Sequence, residues 1–146
     1  MPMTDSDAPG PVATARPRGH RAYTMLLLAF LIDGVLQIAL AGYGTFDLDG
    51  RKLDAAGNEA FAAHDMNATL MTVLAVAILV LAVVAREGGR AIGLAALLLV
   101  LTVVVQTVLA ILGKDTPFFG ALHALDGMVV LGVAGFLHVS AVRAQR

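Results

Sequence analysis

Four long runs of apolar residues, each nearly free of charge, occupy most of this 146-residue chain. A hydrocarbon layer about 30 Å thick takes roughly 20 apolar helical residues to cross. The runs near Tyr23–Tyr43, Ala62–Ala85, Ala91–Leu112 and Phe118–Val142 meet that length. Backbone amides in lipid find no water to bond, so each run is predicted to be helical. The linkers Glu87–Gly89 and Lys114–Pro117 are so short that the helices they join must be antiparallel neighbours. The expected fold is all-α: a polytopic membrane protein with four transmembrane helices in an up-down antiparallel bundle, its principal partner the lipid bilayer.

Composition supports that reading. Mean hydropathy is +0.82, and only 14% of residues are charged, against about a quarter in soluble domains. Residues Met1–Gly19 hold four of the five prolines and little to bury. They are read as a disordered cytoplasmic tail (residues 1–19) ahead of one transmembrane domain (residues 20–146). The first apolar run is too long for the core of a cleavable signal peptide. With no cysteine, disulfides, thiolate metal sites and covalent c-type haem attachment are excluded. A net charge of −1 argues against nucleic acid as a partner.

The charges also suggest an orientation. Arg16, Arg18, Arg21, Arg86, Arg90, Arg143 and Arg146 fall on one side of the bundle, whereas Arg51, Lys52 and Lys114 fall on the other. That bias predicts a cell (plasma or inner) membrane protein with both termini cytoplasmic. The segment Gly44–Phe61, with Asp47, Asp49, Asp54 and Glu59 and the turn formers Gly50, Gly57 and Asn58, then becomes an outer loop.

Polar residues inside the runs carry the candidate chemistry. At 1.5 Å per residue His64 lies about 33 Å from Arg86 and His123 about 30 Å from Arg143, so the two histidines are level near the outer boundary. Gln37, Gln106 and Asp126 form a layer about 24 Å from their own cytoplasmic arginines, with Asp33 deeper. Such groups are costly in lipid and are expected to face the bundle interior. His123 and Asp126 share a helix face, which suggests that the carboxylate holds the imidazole in one tautomer. Gly120, Gly127, Ala134 and Ala141 on the fourth run, and Ala68, Ala75 and Ala82 on the second, trace the side on which helices approach closely. His138 reads as an interfacial histidine and His20 as part of the tail.

The segments QIALAGYGTF (Gln37–Phe46), FAAHDMNATL (Phe61–Leu70) and LHALDGMVVLG (Leu122–Gly132) resemble a bacterial family of four-helix membrane proteins of uncharacterised role. Its pattern has a Gln and an LAG-like turn ending the first helix, a His opening the second, a Gln in the third and a His opening the fourth. The matching positions are Gln37, Leu40–Gly42, His64, Gln106 and His123. More distantly, the histidine pair is similar to half of a haem A synthase and to four-helix b-type cytochromes. That resemblance implies axial ligation of one haem b by His64 and His123. The chain departs from haem A synthase in having a single bundle. It also has no glutamate four residues before either histidine, where Ala60 and Phe119 stand, which speaks against haem-modifying catalysis.

The sequence therefore leads to a small haem-binding, redox-associated membrane protein rather than an enzyme. His64 and His123 are the iron ligands, Gln37, Gln106 and Asp126 line the site, and the partner is a membrane redox protein or a second copy of the chain. Two other readings remain: an accessory subunit of a membrane complex, and a proton-coupled carrier using Asp33 and Asp126. A mononuclear metal site completed by Asp65 or Asp126 is weaker, because zinc catalysis usually needs three protein ligands.

Overall fold

The structure, a computed structural model, describes residues 18–47 and 59–145. Most of the proline-rich tail and the segment with Asp49, Gly50, Arg51, Lys52, Asp54, Gly57 and Asn58 lie outside the described residues, as do Arg16 and Arg146.

Among the described residues, four helices are long and apolar enough to cross a membrane. They are α1 (Arg18–Asp47), α2 (Ala62–Val84), α3 (Gly89–Gly113) and α4 (Pro117–Arg143). The shortest, α2, has 23 residues and is about 35 Å long, enough for the apolar layer. The predicted spans are all present. The first is longer than expected, because Arg18, Gly19 and His20 are already helical and Gly44–Asp47 continues the helix where a loop was predicted. This is a multi-pass membrane protein built as a four-helix bundle.

Helix α1 packs against α2 and α4, and α3 packs against the same two, so α2 and α4 face each other across a diagonal. Individual contacts give the directions. The start of α1 meets the end of α2 through His20 and Glu87, and its end meets the segment before α2 through Gly44 and Ala60. The end of α3 meets the start of α4 through Gly113 and Gly120. The start of α1 also reaches the end of α4, where His20 meets Ala141. Each of these three pairs is antiparallel.

Bulk is divided unequally across the core. Helix α1 contributes Tyr23, Leu27 and Phe30, whereas α2 and α4 present Ala75, Ala82, Ala134 and Ala141 among Met71, Ile78, Val130 and Leu137. The predicted small-residue stripes are therefore the contact faces, and large side chains from α1 fill the space they leave. Large apolar residues such as Val35, Ile38, Val73, Val108 and Met128 point outwards, as lipid-facing positions do.

The turn between α2 and α3 is closed by backbone. Arg86 N–H donates to the Val83 carbonyl and Glu87 N–H to the Ala82 carbonyl, with Arg86 in the left-handed region at φ 55°. This is the double bond of a Schellman ending, with an arginine where glycine is usual. It folds Glu87 back under the bundle. There Glu87 meets His20, whose Nδ1 lies 2.8 Å from both carboxylate oxygens. His20 Nε2 faces the Ala141 carbonyl at 3.2 Å. Both ring nitrogens thus face acceptors, an arrangement that only the doubly protonated ring satisfies in full. Assigning His20 to the tail is therefore wrong: it is a buried tie between three elements. His138 is also tied inwards, donating Nδ1–H to the Thr24 carbonyl at 3.2 Å.

Helix α3 is not uniform. Its middle, Leu101–Val105, is a π-helical turn immediately before Gln106. In α1 the buried Phe30 precedes Gln37 by seven residues, whereas in α3 the buried Leu98 precedes Gln106 by eight. In an unbroken α-helix one extra residue would turn Gln106 about 100° away from the core side. The wider π turn absorbs that residue, so Leu98 and Gln106 both face inwards.

Candidate functional site

His64 lies in the first turn of α2 and His123 in the second turn of α4, and the two rings meet across the diagonal with centroids 6.3 Å apart and planes inclined at 63°. Each ring is held by the neighbouring helix of its own hairpin. His64 Nδ1–H donates to the Gln37 carbonyl at 3.2 Å, and the Gln37 amide donates to the His64 carbonyl at 3.1 Å. His123 Nδ1–H donates to the Gln106 carbonyl at 3.1 Å, and the Gln106 amide donates to the His123 carbonyl at 3.0 Å. A helical carbonyl has a second lone pair to offer, which allows a mid-helix residue to accept a ring N–H without losing its own helix bond.

These clamps fix the chemistry of the rings. Carbonyl oxygens only accept, so both imidazoles carry their proton on Nδ1, and in the neutral rings the lone pair sits on Nε2. The expectation that Asp126 sets the tautomer of His123 is not met. That task falls to the Gln106 backbone. The position on α2 equivalent to Asp126 is Asn67, whose amide donates to Gln37 Oε1 at 2.9 Å. The two Nε2 atoms differ in one respect: that of His64 is approached by the Gln37 amide nitrogen at 3.3 Å. The ring of Phe61 stands edge-on to His64, centroids 6.3 Å apart.

Below the histidines, Asp33 Oδ2, Asp126 Oδ2 and Thr102 Oγ1 are buried without a hydrogen-bond partner. Gln37, His64, Gln106 and His123 are joined by the two clamps and the ring contact, and Asp126 is buried one turn from His123 on the same helix, so the five predicted polar residues gather at one end of the bundle. Asp65 is exposed on the first turn of α2. Among the described residues no group of three or more His, Cys, Asp or Glu is placed to hold a metal ion, and a zinc centre with Asp65 or Asp126 has no support.

The two clamps are copies of one another. QIALAGYG (Gln37–Gly44) and QTVLAILG (Gln106–Gly113) share Gln, Leu, Ala and Gly at their first, fourth, fifth and eighth positions. Both terminal glycines sit at close helix approaches: a Cβ on Gly44 would lie 2.8 Å from the Ala60 carbonyl oxygen, and one on Gly113 would lie 3.0 Å from the Gly120 backbone. On the partner helices, buried residues follow each histidine at 7, 11, 14 and 18 positions: Met71, Ala75, Ile78 and Ala82 after His64, and Val130, Ala134, Leu137 and Ala141 after His123. The molecule is thus two related helical hairpins, each supplying one imidazole. This duplication was readable from the sequence alone by aligning the two Gln segments. Asn67 was visible only as the partner of Asp126 in that alignment.

No protein family, curated protein or solved structure matches the chain.

Proposed function

We propose that this protein binds one b-type haem, with His64 and His123 as the axial ligands, and serves membrane electron transfer. The observation that carries the reading is the convergence of two identically clamped imidazoles at 6.3 Å. Metal–nitrogen bonds of about 2 Å, added to the ring radii, separate two imidazoles bound on opposite sides of one metal by about 6 Å between centroids. Ligating histidines usually give their other N–H to a carbonyl or carboxylate, as both do here with a backbone carbonyl.

The donor set favours haem over a bare ion. A structural zinc asks four protein ligands, whereas haem iron, with its porphyrin nitrogens in place, asks at most two. When bound, the haem supplies one-electron chemistry, and its potential responds to the axial ligands and to burial. His64 and His123 would hold the iron through Nε2. Gln37 and Gln106 would keep the rings in the correct tautomer, and ligation by His64 would have to displace the 3.3 Å contact from the Gln37 amide. The basic residues Arg18, Arg21, Arg86, Arg90 and Arg143 support cytoplasmic termini in the plasma or inner membrane and a site near the opposite face.

Purified protein in detergent, with haem supplied during expression, is expected to show a Soret band that shifts on reduction with dithionite. His64→Ala or His123→Ala should remove the six-coordinate spectrum, and Asp65→Ala should leave it intact. A protein that folds yet stays colourless after haem reconstitution would sink the reading.

A second reading, proton-coupled transport through Asp33 and Asp126, is favoured by their buried, unpartnered oxygens. It predicts pH-driven uptake in vesicles that is lost in Asp33→Asn, with no dependence on His123.

A further inference from the structure

We infer that the outer surface of the α3–α4 hairpin carries a binding site for an anionic phospholipid, independent of the histidine pair and at the opposite end of the bundle. A groove of about 520 Å³ runs between the two helices, lined by Arg90, Leu94, Val129, Gly132, Val133 and Phe136. Its floor exists because Gly132 has no side chain: a Cβ there would meet nothing within 4 Å. Its walls are apolar and face the lipid, with Val129 and Phe136 each 47% exposed. From Val129 to Phe136 the groove extends about 10 Å along α4, the length of the upper part of one acyl chain.

The charge at one end selects the occupant. Arg90 lies in the first turn of α3, and its guanidinium carbon stands 5.2 Å from the centre of the Phe136 ring. Stacking on the ring leaves the N–H groups of the fork available at its edge. Among the described residues the ion pair is His20 with Glu87, and no carboxylate lies within ion-pair distance of Arg90. A cation held beside an open apolar groove, at the end of a membrane-crossing helix, matches a phosphate with its acyl chain below. Basic pockets between transmembrane helices take anionic headgroups for this reason. A zwitterionic lipid fills the groove equally well but gives Arg90 no net charge to neutralise.

Native mass spectrometry of the full-length protein, titrated with phosphatidylglycerol or phosphatidylcholine, tests this. Preferential retention of phosphatidylglycerol is expected. Arg90→Gln should weaken it about fivefold, the value of one basic residue at a membrane surface. Arg143→Gln, which removes a charge at the same end but outside the groove, should not. Gly132→Leu should also weaken retention with every charge in place. Equal retention of the two lipids, or phosphatidylglycerol binding untouched by both Arg90→Gln and Gly132→Leu, would overturn the inference. So would a dimer mass that Gly132→Leu abolishes, since the groove would then hold a second copy of the chain.

Discussion

Gln106 and His123 are tied in both directions: the glutamine amide donates to the histidine carbonyl at 3.0 Å, and the ring Nδ1–H donates to the glutamine carbonyl at 3.1 Å. Only half of this clamp depends on the glutamine side chain, because the acceptor for the ring is backbone. Gln106→Leu is therefore expected to cost about 1 kcal/mol, the scale of one hydrogen bond between transmembrane helices, while leaving the tautomer of His123 unchanged. Denaturant titration in detergent measures the first, and nitrogen chemical shifts of the imidazole measure the second. A switch of the ring to the Nε2–H form would contradict the assignment.

The buried tie between His20 and Glu87 should be worth more. Both side chains are only 9% exposed, and removing one partner leaves the other buried with its hydrogen bond unmade. Glu87→Ala is expected to lose about 3 kcal/mol and to open the start of α1 to proteolysis. His20→Ala with Glu87→Ala together should cost less than the sum of the two single changes. Strict additivity would show that the pair does not interact.

Two glycines near the end of α1 give a contrast that helix propensity alone does not predict. Alanine at Gly42 meets nothing within 4 Å, whereas alanine at Gly44 would press its Cβ to 2.8 Å from the Ala60 carbonyl oxygen. Gly42→Ala should stabilise by about 0.5–1 kcal/mol through the better helix former. Gly44→Ala should destabilise by about 1–3 kcal/mol as α1 is pushed from the segment ahead of α2. Thermal unfolding followed by circular dichroism separates the two signs.

The π turn before Gln106 makes one deletion tolerable where deletions are usually destructive. Removing Val104 gives α3 the seven-residue spacing that α1 uses between Phe30 and Gln37, so the turn should become plain α-helix with the core intact. Removing Leu109 changes the spacing of Gln106 and Gly113 and should rotate one of them by about 100° off the contact face. Expression and monodispersity in detergent should survive the first deletion and not the second.

Sequence periodicity and charge determined the number of helices, their limits to within a few residues in three of the four, and the level at which His64 and His123 stand. They did so because a lipid layer of fixed thickness demands a fixed length of apolar helix. Helix α1 exceeds its expected limits at both ends: Gly44–Asp47 continues it, and Arg18 to His20, which look polar and tail-like, are helical where Glu87 and the Ala141 carbonyl receive the histidine. Rotation about each helix axis was another matter. Helices that are apolar nearly all round give little indication of which side faces inwards. Only tertiary packing decided that His64 and His123 converge, that glutamine backbones rather than Asp126 hold their protons, and that α3 takes a π turn to keep Gln106 in phase. Those outcomes depend on contacts between helices, and the composition of any one helix does not contain them.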